Sequence, residues 1–203
     1  MMTDSTNRRS RTQMIAVTTA KLIAAARRSF ATVGYAATSM DELCAEVGLT
    51  RGALYHHFGG KEGLLEAVVR QIDGEIDAKL DAVWETYADP WEAFKASCLF
   101  YLTLALEPEI QRITLTEAPA VLGQRLRDID AHSSVGAIAD GLRELMDAGR
   151  VRQTDPEALA RMLNGALIDA ALWIATHEDP NEALTKAQHS FEVILFGLVE
   201  PPL

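Results

Sequence analysis

Cysteine is nearly missing from this chain: of 203 residues, only Cys44 and Cys98 carry a thiol. Neither sits in a Cys-x-x-Cys pair or a Cys/His cluster, which excludes a disulfide scaffold and leaves no metal-ligand spacing. Long apolar runs are missing too. The longest mostly apolar stretch, Cys98 to Leu106, includes a tyrosine and a threonine, whereas a bilayer span needs roughly twenty apolar residues. The polar start, with Arg8, Arg9 and Arg11 and no apolar run behind it, does not read as a secretory signal. A soluble, cytoplasmic protein with reduced thiols and no membrane partner is the expectation.

The signatures of catalysis are also absent. The chain holds no His-Glu-x-x-His, Gly-x-Ser-x-Gly or Gly-x-Gly-x-x-Gly pattern. Gly59-Gly60-Lys61-Glu62 lacks the earlier glycine and the following Ser/Thr of a phosphate loop. His177-Glu178-Asp179 reads as the end of one helix and the cap of the next rather than as metal ligands. No catalytic residue, metal or cofactor is expected.

What is present points to helices. Apolar residues make up 48% and charged residues 24% of the chain, enough to bury a core and stay soluble. No proline precedes Pro90, and three later prolines follow aspartate: Asp89-Pro90, Asp155-Pro156 and Asp179-Pro180. Aspartate caps free backbone N–H groups and proline suits the first helical position, so each pair reads as a helix start. Apolar spacing of three and four recurs, as in Leu159, Met162, Leu163, Ala166, Leu167, Ala170, Trp173 and Ile174, and in Leu184, Ala187, Phe191, Ile194, Leu195 and Leu198. No segment alternates as a strand would. The expected fold is all-α, with about nine helices near 12–33, 38–45, 50–56, 61–86, 90–106, 109–116, 120–148, 156–176 and 180–199.

Charge is unevenly spread. The formal net charge is −10, yet residues 1–61 hold eight Lys/Arg against four Asp/Glu, a balance of +4, which leaves −14 for the rest. A polyanion is drawn to the first part and repelled by the second. Within the first part, Thr38 or Ser39 can cap a short helix whose apolar face is Met40, Leu43, Cys44 and Val47. Gly48 permits the turn, and Thr50 can cap a second short helix with Leu54 inward. That is a helix-turn-helix.

The surrounding residues make the pattern specific. Arg11-Thr12, Ala24-Ala25-Ala26, Phe30, Gly34-Tyr35, Thr38-Ser39-Met40, Leu43, Gly48, Gly52, Leu54-Tyr55, His57-Phe58 and Lys61-Glu62 stand in one order and spacing. Over residues 11–65 the chain resembles the DNA-binding domain of the TetR family of bacterial regulators. Cys44 stands where alanine is usual, and Gly59-Gly60 fills a loop more often polar, which could loosen the approach of Lys61 to a phosphate. The resemblance implies a flexible basic arm (1–10), a three-helix DNA-binding domain (11–60) and a ligand-binding and dimerisation domain (61–203). It further implies that the second short helix enters the major groove of a palindromic operator on double-stranded DNA.

On that reading Arg51 is the candidate for gripping a guanine edge, with Thr50, Gly52 and Ala53 at close approach. Thr38, Ser39, Tyr55, His56, His57 and Lys61 are candidates for phosphate contacts. Duller roles remain for some: Phe58 packs the small domain, His57 bridges helices, and Thr38 is only a cap. The last two helices, 156–176 and 180–199, are implied to form a homodimer interface, although both would equally serve as core. Gly165, Ala166, Ala170 and Ala171 would admit a close partner helix.

The ligand would be small and mostly apolar. Its candidate residues are Trp84, Tyr87, Phe94, Cys98, Tyr101, Asp169 and Trp173, from a wider aromatic group that includes Trp91 and Phe100. Asn164 and Asp169 interrupt an apolar helix, and Arg112, Arg125, a ligand cation or a second subunit could satisfy Asp169. Pro108 and Pro119 bracket a short helix that could act as a gate. The long fourth helix joins the two parts without a flexible linker. The expected function is a sequence-specific regulator, a repressor released by its ligand. The alternatives are a helical small-molecule carrier without sequence-specific DNA binding and a non-specific architectural DNA binder.

Overall fold

A computed structural model describes residues 3–199, with side chains described for residues 16–129 and 133–199. Among them the chain is helical. The helices are α1 (Thr3–Thr32), α2 (Met40–Val47), α3 (Arg51–Phe58), α4 (Lys61–Trp84), α5 (Pro90–Thr103), α6 (Ala118–Leu122), α7 (Gln124–His132), α8 (Ser134–Asp147), α9 (Pro156–Thr176) and α10 (Pro180–Phe196). A 3₁₀ turn, Leu104–Leu106, and a π-helix, Ile110–Glu117, lie between α5 and α6. Extended pairing among the described residues is limited to one antiparallel bridge, Val151 to Val199, beside which the Arg152 N–H donates to the Leu198 carbonyl at 2.9 Å.

All three aspartate–proline pairs start helices as their chemistry demands. Asp89 accepts from the N–H groups of Trp91 and Glu92, Asp155 from Ala158, and Asp179 from Asn181 and Glu182. In each, the proline takes the first turn, where its missing N–H leaves no bond unmade. The His177 ring nitrogen accepts from the Asp179 N–H at 3.1 Å, so this cluster forms the turn between α9 and α10.

The single helix expected over 120–148 is broken twice. Gly123 adopts φ +53° between α6 and α7, and Ser133 leaves the helical region between α7 and α8. The segment bracketed by Pro108 and Pro119 winds as a π-helix rather than an α-helix. Its closing bond runs from the Ala118 N–H to the Ile113 carbonyl, five residues back. Pro119 follows directly and has no N–H with which to resume the α-helical register.

The chain divides into two compact units, Met1–Gln71 and Ile72–Leu203, and α4 is continuous across the division. In the first, Leu22, Ala25, Ala26, Phe30, Leu43, Cys44, Leu54, Leu64, Leu65, Val68 and Val69 are buried. They come from all four helices, so α2 and α3 rest on a platform of α1 and the start of α4. In the second, α9 is the central element, packing against α8, α10 and α5. By length and composition α9 could cross a membrane, a feature that a search for uninterrupted apolar runs passes over. Leu163, Leu167, Ala171 and Ile174 nevertheless bury one of its faces within the unit.

Candidate nucleic-acid interface and ligand cavity

The turn between α2 and α3 is built by caps. Ser39, in extended conformation, accepts from the Glu42 N–H at 3.3 Å, and Thr50 accepts from the Ala53 N–H at 3.2 Å. Gly48 ends α2 at φ +69°, a left-handed position that suits glycine, and the Leu49 N–H returns to the Cys44 carbonyl at 2.8 Å. Leu54 is fully buried beneath α3. Arg51, Gly52, Tyr55 and His56 are exposed on one face, with Ala53 half-exposed beside them and His57 exposed at the end.

Gly52 has open space around it. Among the described residues a Cβ there would meet only Thr50 Oγ1, at 3.9 Å, so none of them requires the bare backbone. The Arg51 guanidinium pairs with Asp41 on α2, Nε to Oδ1 at 3.3 Å and Nη1 to Oδ2 at 3.4 Å, and both side chains are more than half exposed. The pair engages two of the three guanidinium nitrogens while the side chain stays largely in solvent. Lys61 is anchored at the far end, its Nζ donating to the Ala36 carbonyl at 3.2 Å and lying 4.7 Å from the centroid of the Tyr35 ring.

One candidate faces the wrong way. Thr38 is only 4% exposed; its hydroxyl donates to the Gly34 carbonyl at 2.8 Å and shares a 2.8 Å bond with Ser29 Oγ. A buried, satisfied hydroxyl cannot reach a phosphate, and the cap belongs to Ser39. Thr38 therefore ties the start of α2 to α1. The basic arm, with Arg8, Arg9 and Arg11, lies outside the residues whose side chains are described.

Gly63, which no local pattern singles out, proves central to this unit. A Cβ on Gly63 would sit 1.8 Å from the Phe58 carbonyl oxygen. The start of α4 can therefore lie against the end of α3 only with glycine at that position. Only the juxtaposition of two helix ends exposes this requirement.

The second unit holds a half-open cavity of about 290 Å³. Its wall combines Ile76, Leu80 and Trp84 of α4 with Phe94, Cys98 and Tyr101 of α5, Ile138 and Gly141 of α8, and Leu167 of α9. Trp84, Phe94, Cys98 and Tyr101 are thus brought together as expected, and Asn164 joins them. Burial pushes the Cys98 thiol up to about 12, so it stays protonated.

Three other candidates lie elsewhere. Tyr87 is exposed in a separate groove with Lys79, Glu92 and Lys95. Trp173 is exposed and meets the His177 ring edge-on at 5.5 Å. Asp169 is exposed on α9 in the single chain and does not line the cavity; helical spacing puts it on the same face as Met162 and Trp173. No π-helix residue lines the cavity, which removes the geometric basis for that segment as a gate. The sequence reading missed Asp77, Asp81, Ser97 and Glu144, all of which line the cavity. The spacing of Asp77 and Asp81, one helical turn apart, was the available signal.

The outer face left by α9 and α10 is apolar. Met162, Leu172 and Trp173 on α9, and Val193, Ile194 and Phe196 on α10, are exposed, Met162 at 72% and Phe196 at 80%. Ala183, Ala187, Phe191 and Leu195 turn the opposite face of α10 inward. These two helices are apolar on two sides, and one of those sides has no cover among the described residues.

Comparison with known proteins agrees with both units. Residues 22–68 match the family described as bacterial regulatory proteins, tetR family, and residues 91–198 match the tetracyclin repressor-like C-terminal domain. A TetR-family transcriptional regulator from Pectobacterium atrosepticum superimposes with a TM-score of 0.83 at 48% identity, covering 94% of this chain and 98% of that one. An HTH-type transcriptional repressor of Mycobacterium tuberculosis is 30% identical over 79% of this chain and 83% of its own length. The Tn10 TetC protein of Escherichia coli is 28% identical over 74% of this chain and 77% of its own.

Proposed function

This chain belongs to the TetR family of DNA-binding transcriptional regulators, and we propose that it is a dimeric repressor released from a palindromic operator by a small ligand. The observation that carries the reading is the surface of α3. Arg51, Gly52, Tyr55 and His56 stand exposed on a helix whose opposite side is pinned by the buried Leu54. Arg51 reads a guanine edge through its fork, and Gly52 and Ala53 let the backbone come close. Ser39, Thr50, Tyr55, His56, His57 and Lys61 hold phosphates and fix the register. Residues 11–60 carry this role, and residues 61–203 carry ligand binding and dimerisation.

The uncovered apolar face of α9 and α10 supports a homodimer. Six large apolar side chains there are exposed in the single chain. Among the described residues nothing comes within 4 Å of a Cβ placed on Gly165, which leaves room for a partner helix. Two-fold pairing would present two α3 helices to two half-sites. The aromatic cavity suits a small, mostly apolar effector. A ligand that favours another arrangement of its walls would shift α4, one uninterrupted helix from Lys61 to Trp84, and so misplace α3.

Selection of binding sites from random duplex DNA tests the reading, with Arg51→Ala run in parallel. An enriched palindrome whose preference at one base pair per half-site relaxes in the variant is the expected result. Retention of all sequences alike, sensitive only to salt, would refute it.

A further inference from the structure

The charged residues in the cavity wall are all of one sign. Asp77 and Asp81, one turn apart on α4, and Glu144 on α8 line it, with no Lys or Arg among the described lining residues. None of these three carboxylates makes an ion pair or side-chain hydrogen bond within the described residues. Asp77 is half-buried; burial first, and the charge of Asp81 second, raise its carboxyl above the ordinary 3.8. Ser97 Oγ, on the same wall, is buried without a partner. Apart from the polar Ser134 and Asn164, the rest of the lining is mostly apolar and aromatic, with Trp84, Phe94 and Tyr101. A Cβ on Gly141 would come 3.3 Å from the Phe94 ring, so that glycine lets α8 lie directly on the aromatic wall.

We propose that the molecule this cavity takes is an organic cation, its flat apolar body against Trp84, Phe94 and Tyr101 and its ammonium head toward Asp77, Asp81 and Glu144. This rests on reading the cavity as the effector site. Asp77 is half-buried while Asp81 and Glu144 are exposed; like charges gathered on one wall leave the site short of positive charge, and a bound cation relieves that shortage. An anion would meet three carboxylates with no compensating Lys or Arg in the described lining. The net −14 beyond residue 61 adds a field of the same sign, which raises the local concentration of cations. Aromatic faces attract an ammonium further. A bare metal ion fits poorly, because no group of three His, Cys, Asp or Glu among the described residues is placed to hold one.

Three naphthalene probes test the proposal by calorimetry on the full chain. They carry a trimethylammonium, a hydroxyl or a carboxylate on the same methylene. The ammonium probe is expected to bind at least about tenfold tighter than the hydroxyl probe, and the carboxylate probe most weakly. Asp77→Asn should weaken the ammonium probe about tenfold and leave the hydroxyl probe unchanged, and Glu144→Gln should act in the same direction. Equal affinity for ammonium and hydroxyl, equal loss of both in Asp77→Asn, or binding of none of the three would overturn the proposal. Operator release is measured separately by anisotropy. An ammonium probe that binds through Asp77 but releases no DNA would uphold the ligand class and overturn the effector reading.

Discussion

On the proposed reading a guanine edge competes with Asp41 for the Arg51 guanidinium, and this makes the recognition helix testable by a double-mutant cycle. Both side chains are more than half exposed and the two contacts are 3.3 and 3.4 Å, so the pair contributes about 0.2–1 kcal/mol. A two-point grip on guanine is worth roughly 1–3 kcal/mol. Arg51 gains the second only by giving up the first. Asp41→Asn should therefore tighten operator binding by up to about fivefold per half-site, and up to about thirtyfold on a two-fold palindrome. Arg51→Ala should weaken it about tenfold per half-site. The assay is anisotropy of a labelled duplex, with the selected operator and a shuffled control, at two salt concentrations. In the Arg51→Ala background the Asp41→Asn gain should vanish, because no guanidinium remains to release. If the gain persists undiminished there, it comes only from removing an anion near phosphates, and Arg51 does not read bases. Equal weakening of operator and shuffled DNA by Arg51→Ala would likewise show that Arg51 contributes charge and no base preference.

Other consequences follow from the same geometry. Gly52→Ala has room in the chain and should raise stability by up to about 1 kcal/mol, through helix propensity, while weakening operator affinity; thermal melts and anisotropy report the two opposite signs. Gly63→Ala places a carbon against the Phe58 carbonyl and should cost on the order of 3 kcal/mol or more, read as loss of cooperative unfolding in urea. Phe196→Glu, at an 80% exposed position, should leave the monomer fold intact by circular dichroism but yield monomers in sedimentation velocity. Asp77 has a raised carboxyl, so its ionisation opposes folding. Asp77→Asn should raise Tm at pH 7, and the gain should fade as pH drops below the ordinary 3.8, where the wild-type group is protonated in both states. An equal gain at pH 3 would mean that the charge is not the cause.

Features set by local chemistry are legible in the order of the amino acids. Aspartate–proline pairs start helices because cap and missing N–H act within three residues. Ser39, Gly48 and Thr50 shape the helix-turn-helix for the same reason, and the positive balance of residues 1–61 is a matter of counting. Packing, by contrast, settled which way each side chain faces. Thr38 and Ser39 are equally good caps by type, but packing against Ser29 and Gly34 turned Thr38 inward. Asp169 interrupts an apolar helix, and packing turned it to the exposed face of α9 rather than into the cavity. Asp77, Asp81 and Glu144 line one cavity because α4 and α8 both border it, a juxtaposition of residues more than sixty positions apart that no local pattern encodes. Gly63 is required by an oxygen on the preceding helix, and that constraint exists only once the two helix ends meet.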